Sequence, residues 1–333
     1  MALRDTLFSI LHAAGAASLL RSLRVRNREL SVLMFHRVSD RPDPLWPPMP
    51  VGSFRSLMEE VAGSCHVVPL EALGRQEGYP GKPLVAISFD DGYLDFLENA
   101  APILTRLGLP AHHNVCPACI DRGTPPWTQV VAGYLQSRKT SSIALPSGEE
   151  IRISTPVVEK DFLAVCDALY GIPDDERQQW IEAIAKEVPT AFLPPLMTWD
   201  DIRSCSRMGF HIGSHGQSHK NLAQVNDPNL LDQEIRQSRV RIKEETGSTP
   251  SLFAFPNGLY HASSLKTVKE SGYRIGLLCD DMVSNFRTLQ DDDGFLVLPR
   301  INIGRSNWRE ESLRAHGLHQ KIKSRLKGLP YVR

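Results

Sequence analysis

The sequence contains no stretch of about eighteen consecutive apolar residues, so no membrane-spanning helix is expected from it. It also lacks a convincing secretory signal. The early apolar positions Leu3, Leu7, Phe8, Ile10, Leu11, Leu19 and Leu20 are interrupted by Asp5 and His12, and Arg21, Arg24 and Arg26 follow. The expectation is a cytoplasmic protein in which residues 1–30 form an amphipathic helix. That helix either lies on a membrane surface or caps one end of the domain. Net charge is absent, with 38 basic and 38 acidic residues, so nothing suggests a nucleic-acid partner. A disulfide framework is absent too: six cysteines, at positions 65, 116, 119, 166, 205 and 279, are scattered along the chain. Cys116-Pro117-Ala118-Cys119 has the spacing of a redox or zinc motif, with His112 and His113 just before it. Without a second pair it reads instead as a strand and its loop, with cysteine used as a small apolar residue.

What is present alternates. Strand patterns at Ser31–His36, Cys65–Pro69, Leu84–Phe89, Ala111–Val115, Phe210–Gly213, Leu252–Phe255 and Tyr273–Leu278 are separated by helical ones. The helical patterns are Phe54–Ala62, Tyr93–Leu107, Trp199–Met208, Asn229–Gly247 and Ser263–Ser271. Strand–helix repetition implies a parallel sheet, as a barrel or a doubly wound sheet. Residues 128–195 break the rhythm with a hairpin pattern, Ser141–Ser154, and helical patterns Glu159–Tyr170 and Asp174–Glu187, which read as an inserted helical subdomain. Both ends are basic. Arg4, Arg21, Arg24, Arg26 and Arg28 lie in the first 30 residues, and Arg309, Arg314, Lys321, Lys323, Arg325, Lys327 and Arg333 lie in a tail over 306–333. Such runs are solvated faces or contacts to an anionic membrane or glycan.

The chemistry concentrates at strand ends. The apolar run Leu84–Phe89 ends in Asp90-Asp91-Gly92. Two carboxylates at the mouth of a buried strand are costly unless something pairs with them, and a metal ion would do so. Neighbouring side chains at a strand end point in different directions, so one can bind a metal while the other faces a water. After the strand Phe210–Gly213 comes Ser214-His215-Gly216-Gln217-Ser218-His219, whose two histidines would share a face in a helical turn. Strand C-termini of α/β proteins converge on one side. Asp91, His215 and His219 then make a two-histidine, one-carboxylate metal site with open positions. Phe253-Ala254-Phe255-Pro256-Asn257-Gly258 puts a turn after another strand, and His36 ends the first.

These motifs resemble the polysaccharide deacetylases with a NodB-homology domain, carbohydrate esterase family 4. Ser88–Gly92 matches that family's (T/S)FDDG motif, Ser214-His215 to His219 its H-x-x-x-H motif, and Phe253–Gly258 the FAYPxG variant of its third motif. Met34-Phe35-His36-Arg37-Val38 is similar to the YHRV strand of one branch. The resemblance spans about residues 30–303. It implies a distorted (β/α)7 barrel over 31–305, with the insertion within it. It also implies an N-deacetylase of amino sugars in a polysaccharide or lipid-linked glycan. The implied site has Asp90 as general base and Asp91, His215 and His219 on one divalent ion, zinc first, with iron, cobalt or nickel also admitted. A backbone N–H near Tyr93 or Asn257 would hold the oxyanion. Tyr93, Pro256, Asn257 and Trp127 are the candidate substrate contacts. The sequence departs from the family where Ala254 replaces an arginine that braces the base; Arg300 is expected to supply that cation. The family's usual late Leu-x-His motif is not evident, so His36 is the candidate general acid. A hydrolase of another acyl or cyclic amide and a catalytically silent glycan-binding module are the competing readings. The insertion is expected as a helical lid or wall beside the metal, with Trp127 at its root.

Overall fold

The computed structural model describes residues 2–75, 78–138, 140–289, 294–304 and 307–327. The side chains of Arg325, Lys327 and Arg333 lie outside the description. Seven parallel strand positions form the barrel: β1 Glu29–Phe35, β2 Leu84–Asp90, β3 His112–Val115, β4 His211–Ser214, β5 Leu252–Ala254, β6 Ile275–Leu277, and a last one in two pieces, β7 Leu296–Leu298 and β8 Ile301–Asn302. β7 pairs with β6 and β8 pairs with β1, so the broken strand closes the ring. The break falls at Pro299, which has no N–H for a ladder, and leaves Arg300 at the seam. This is the distorted (β/α)7 barrel.

Period-two alternation sorts the strand residues. Leu30, Val32, Leu84, Ala86, Leu252, Ala254, Ile275, Leu277, Leu296 and Leu298 share one buried cluster, the barrel interior. The intervening residues Leu33, Phe35, Val85, Ile87 and Phe89 pack outward on helices such as Val51–Ser64. There the rings of Phe35, Phe54, Phe89 and Phe96 lie 4.8–5.9 Å apart. Burying each such ring contributes about 1.5–3 kcal/mol, which fixes the register of β2. Continuing the inward series 84, 86 puts Ser88 and Asp90 at the catalytic end of the interior.

Several local expectations change. The segment after Tyr93 is not one regular helix. A π-helical turn, Phe96–Ala100, precedes the helix Ala101–Arg106, and Pro102, which lacks an N–H, accounts for the widened turn. The first 30 residues form two helices, Ala2–Ala13 and Ala16–Asn27, broken at left-handed Gly15 and bent by 63°. No single helix among the described residues is long and apolar enough to cross a membrane, although this bent pair together would be by length and composition. The C-terminal segment is helical as well, Trp308–Ala315 and Leu318–Lys327, and packs on the N-terminal pair through Ala17, Leu20 and Leu313. The basic residues here are largely internal partners. Arg24 is fully buried and donates to the Ala315 carbonyl at 2.7 Å, Arg21 pairs with Glu60 at 2.6 Å, and Arg4 pairs with Glu310.

The insertion opens with a helix that the sequence pattern does not announce, Trp127–Ser137. The hairpin Ser142–Ala144/Glu150–Arg152 and helices Glu159–Tyr170 and Asp174–Ala185 follow. It has its own core of Val130, Val131, Leu135, Phe162, Val165 and Leu169, into which Leu45 of the proline-rich loop also packs. Its end is tied to the barrel: Leu94 N–H donates to Pro195 O at 2.9 Å and Met197 N–H to Gly92 O at 2.8 Å.

Candidate active site

β2 carries Asp90 to the barrel mouth, and the chain then reverses through two left-handed residues, Asp91 (φ 76°) and Gly92 (φ 84°). Glycine suits this φ, and a Cβ on Gly92 would also meet the Cδ1 end of the Ile120 side chain at 2.9 Å. A non-glycine residue at positive φ costs about 1–3 kcal/mol and clusters at functional sites. The turn is held by His113, whose Nε2 accepts from Gly92 N–H at 3.0 Å. Burial lowers the His113 pKa to about 3, which keeps the ring neutral and able to accept.

Asp90 is buried among donors. Arg300 Nη1 donates to Oδ1 at 2.8 Å, Arg300 Nη2 lies 2.7 Å from Oδ2, and Asn114 Nδ2 donates to Oδ1 at 2.7 Å. Arg300 is itself anchored by Nε donating to Leu278 O at 2.9 Å. Burial acts to raise the Asp90 pKa, but the charge of Arg300 and its hydrogen bond outweigh that and hold the carboxyl well below the usual range. Asp90 is therefore an ionised acceptor. Arg300 occupies the bracing position that Ala254 cannot.

Asp91 has a different environment. Burial raises its pKa, and its Oδ1 has no hydrogen-bond partner among the described residues. His215 Nε2 lies 3.5 Å and His219 Nε2 3.6 Å from that oxygen. His215 Nδ1 donates to the Ala254 carbonyl at 2.8 Å, which leaves the Nε2 lone pair facing Asp91. Burial lowers both histidine pKa values to about 4, so both rings are neutral ligands. All three donor atoms lie within 4.8 Å of one another. An orphaned buried carboxylate oxygen facing two neutral imidazoles fits a divalent cation. The loop between the histidines is not the helical turn expected from their spacing. Gly216 (φ 76°) and His219 (φ 63°) are left-handed, which a right-handed turn excludes. Buried Glu234 shapes that loop by accepting from the Ser218 N–H at 2.9 Å and from its hydroxyl.

Asp90, Asp91, His215, His219, His36 and Asn257 line one cleft of about 310 Å³. The loop carrying His36 is pinned by Asp95, which accepts from Arg37 Nε at 3.0 Å and Val38 N–H at 3.2 Å. Three expected contacts do not line the cleft. The Tyr93 side chain is fully buried under Arg37, 5.6 Å from its ring. Pro256 is buried. Trp127 packs within the insertion against Tyr170, ring centroids 5.1 Å apart, because its apolar ring completes that core. Cys116 and Cys119 are buried and unpaired, and the Cys116 thiol donates to His215 O at 3.2 Å. Asn114 and Glu234 are absent from the residues expected from the sequence. Asn114 had a signal, as a polar residue at the end of a strand beside Asp90; Glu234 had none.

A parallel barrel with an ionised acid and a two-histidine, one-carboxylate cluster at its strand ends defines a hydrolase with a candidate metal centre. Residues 77–276, more than half of the chain, match the family model described as Polysaccharide deacetylase, and the protein belongs to that family. Among solved structures, the Streptococcus pyogenes deacetylase PplD in complex with acetate aligns with a TM-score of 0.59 and 16% identity, covering 86% of this chain and 98% of that one. BC0361, a polysaccharide deacetylase from Bacillus cereus, aligns at 0.57 and 13%, covering 86% and 69%. IcaB from Ammonifex degensii aligns at 0.51 and 15%, covering 86% and 97%. These likenesses show a shared fold. A search of curated proteins finds no match.

Proposed function

We propose that this protein hydrolyses N-acetyl groups from amino sugars of a polysaccharide or a lipid-linked glycan. The observation that carries the reading is the pairing of two adjacent aspartates in opposite environments. Asp90 is held ionised by Arg300 and Asn114, and Asp91 is left facing His215 and His219. The same division supports Asp90 as general base and Asp91, His215 and His219 as ligands of one divalent ion, zinc first, with iron, cobalt or nickel also compatible with these donors. When bound, such an ion supplies Lewis acidity to an amide carbonyl and acidifies a water. Asp90 takes a proton from the attacking water. Backbone N–H groups beside Tyr93 or Asn257 stabilise the oxyanion. The C–N bond breaks as His36, on the cleft wall, donates a proton to the leaving amine, giving acetate and a free amino sugar. We place the enzyme on the cytoplasmic side of a membrane, in peripheral contact. Exposed Leu7, Ile10 and Leu19, with exposed Arg26 and Arg28 after them, support that contact.

Acetate release from a panel of N-acetylated glycans tests the reading. The parent should release acetate, and Asp90→Asn should retain its metal while losing nearly all turnover. A metal-loaded parent that releases no acetate from any member would refute it.

A further inference from the structure

The insertion helix Glu159–Tyr170 presents Leu163, Asp167 and Tyr170 to the cleft, opposite Asp90, Asp91, His215 and His219. Spacings of four and three residues put these side chains on one helix face. Val165 and Leu169, on the opposite face, are buried in the insertion core, so packing does not account for the stripe. Leu163 is 46% exposed, a large apolar side chain left uncovered beside the candidate catalytic centre. Asp167 is exposed and has no hydrogen-bond or ion-pair partner among the described residues.

The end of the stripe is fixed in place. Tyr170 Oη donates to Asn257 Oδ1 at 3.0 Å, on the turn after β5, and Gln224 Nε2 donates to Tyr170 O at 2.9 Å. Lys220, next to His219, pairs with Asp174 on the following insertion helix. The wall is thus tied to the loops that carry His219 and Asn257 and cannot drift from them independently. A fixed apolar side chain beside an unpaired carboxylate matches the two surfaces of a pyranose, an apolar C–H face and an edge of hydroxyl donors. A carboxylate there also disfavours an anionic sugar.

We propose that Leu163, Asp167 and Tyr170 form the sugar-selecting wall of the cleft. Leu163 covers the C–H face of the N-acetylated sugar, Asp167 accepts hydrogen bonds from its free hydroxyls, and Tyr170 sets the distance of the wall from Asn257. The preferred substrate is an uncharged N-acetylhexosamine with unmodified hydroxyls near the acetamido group. This inference rests on the deacetylase reading.

The test compares kcat/KM on an oligomer of N-acetylglucosamine with that on para-nitrophenyl acetate, which has no hydroxyls to recognise. Asp167→Ala should lower the sugar-to-ester ratio about tenfold or more, mainly through KM, as loss of a charge-assisted hydrogen bond implies. Leu163→Ala should lower the ratio less, and Asp167→Asn, which keeps an acceptor, should recover part of it. Metal content should match the parent in all three, since the positions are exposed and outside the ligand set. If the parent cleaves both substrates and the variants keep its ratio, the wall is overturned while the deacetylase reading stands. A parent that cleaves the ester but no N-acetyl sugar overturns both.

Discussion

Arg300 meets Asp90 at two points, with Nη1 2.8 Å from Oδ1 and Nη2 2.7 Å from Oδ2, and both side chains are buried. The pair joins the last barrel strand to the second and aims the candidate base. Removing one member leaves the other charge buried without its partner, which costs about 3–5 kcal/mol. Arg300→Met should therefore lower stability by about that amount in urea unfolding and abolish most turnover, because burial then favours the protonated Asp90. Arg300→Met combined with Asp90→Asn should recover much of the stability and none of the activity. A single Arg300→Met variant as stable and active as the parent would contradict this account.

The division between Asp90 and Asp91 predicts where metal is lost. His215→Ala with His219→Ala should reduce bound divalent metal from about one ion per chain to near zero, since a single carboxylate cannot hold it. Asp90→Asn should leave metal content unchanged. Equal metal in the parent and the double histidine variant, measured after dialysis against chelator-free buffer, would exclude these ligands.

His316 makes the terminal helices sensitive to acid. Burial, together with the charges of Arg24, Arg21 and His12, holds its pKa well below the ordinary 6.5. The unfolded chain takes up this proton near the ordinary value and the folded protein only at much lower pH. Its contribution is complete above the unfolded pKa and falls by about 1.4 kcal/mol per pH unit as pH drops below it. Urea midpoints measured between about pH 7 and pH 5 should show a smaller decline for His316→Gln than for the parent. Parallel declines would show that His316 is accessible to protons in the folded state.

What the sequence discloses and what it hides follow one physical division. Asp90 and Asp91 lie next to each other at the end of an apolar run, and His215 and His219 follow another, so local pattern alone places them on strand ends; Arg300 comes into view only through the family resemblance and the arginine missing at Ala254. Arg24 shows the opposite case. It reads as one of several basic residues on a solvated face, yet it is buried and bonded to Ala315, 291 positions away. Nothing in its local sequence encodes that contact, because it joins the two ends of the chain through the tertiary fold. Glu234 is hidden for the same reason, as a helix residue that reaches the histidine loop through space. Trp127 packs against Tyr170 and the insertion core, which its local sequence cannot disclose, because an aromatic side chain at the root of an insertion suits a sugar platform and an apolar core equally well.

The requirement for Gly213 is likewise invisible in the sequence and yields the last prediction. Gly213 on β4 pairs in register with Asn114 on β3. A Cβ at this position would lie 2.2 Å from Asn114 Oδ1 and 2.9 Å from Leu252 Cδ2. The backbone is ordinary β-strand, so glycine is needed here for space alone. The side chain it admits, Asn114, donates from Nδ2 to Asp90 Oδ1 at 2.7 Å, to Ser88 Oγ at 2.9 Å and to Phe89 O at 3.1 Å. Gly213→Ala must therefore push Asn114 off Asp90 or move the strand. Overpacking of this kind costs about 1–3 kcal/mol, and a misplaced catalytic group about a hundredfold in rate. Gly52, at the start of the helix Val51–Ser64, serves as the control, because a Cβ there would meet nothing within 4 Å. Gly52→Ala should be neutral or stabilising by up to about 1 kcal/mol, with unchanged turnover. Adding Asn114→Ala to Gly213→Ala should relieve the clash and return part of the stability while leaving turnover low, because Asp90 still lacks its second donor. If Gly213→Ala alone matches the parent in both stability and rate, Asn114 does not hold the base.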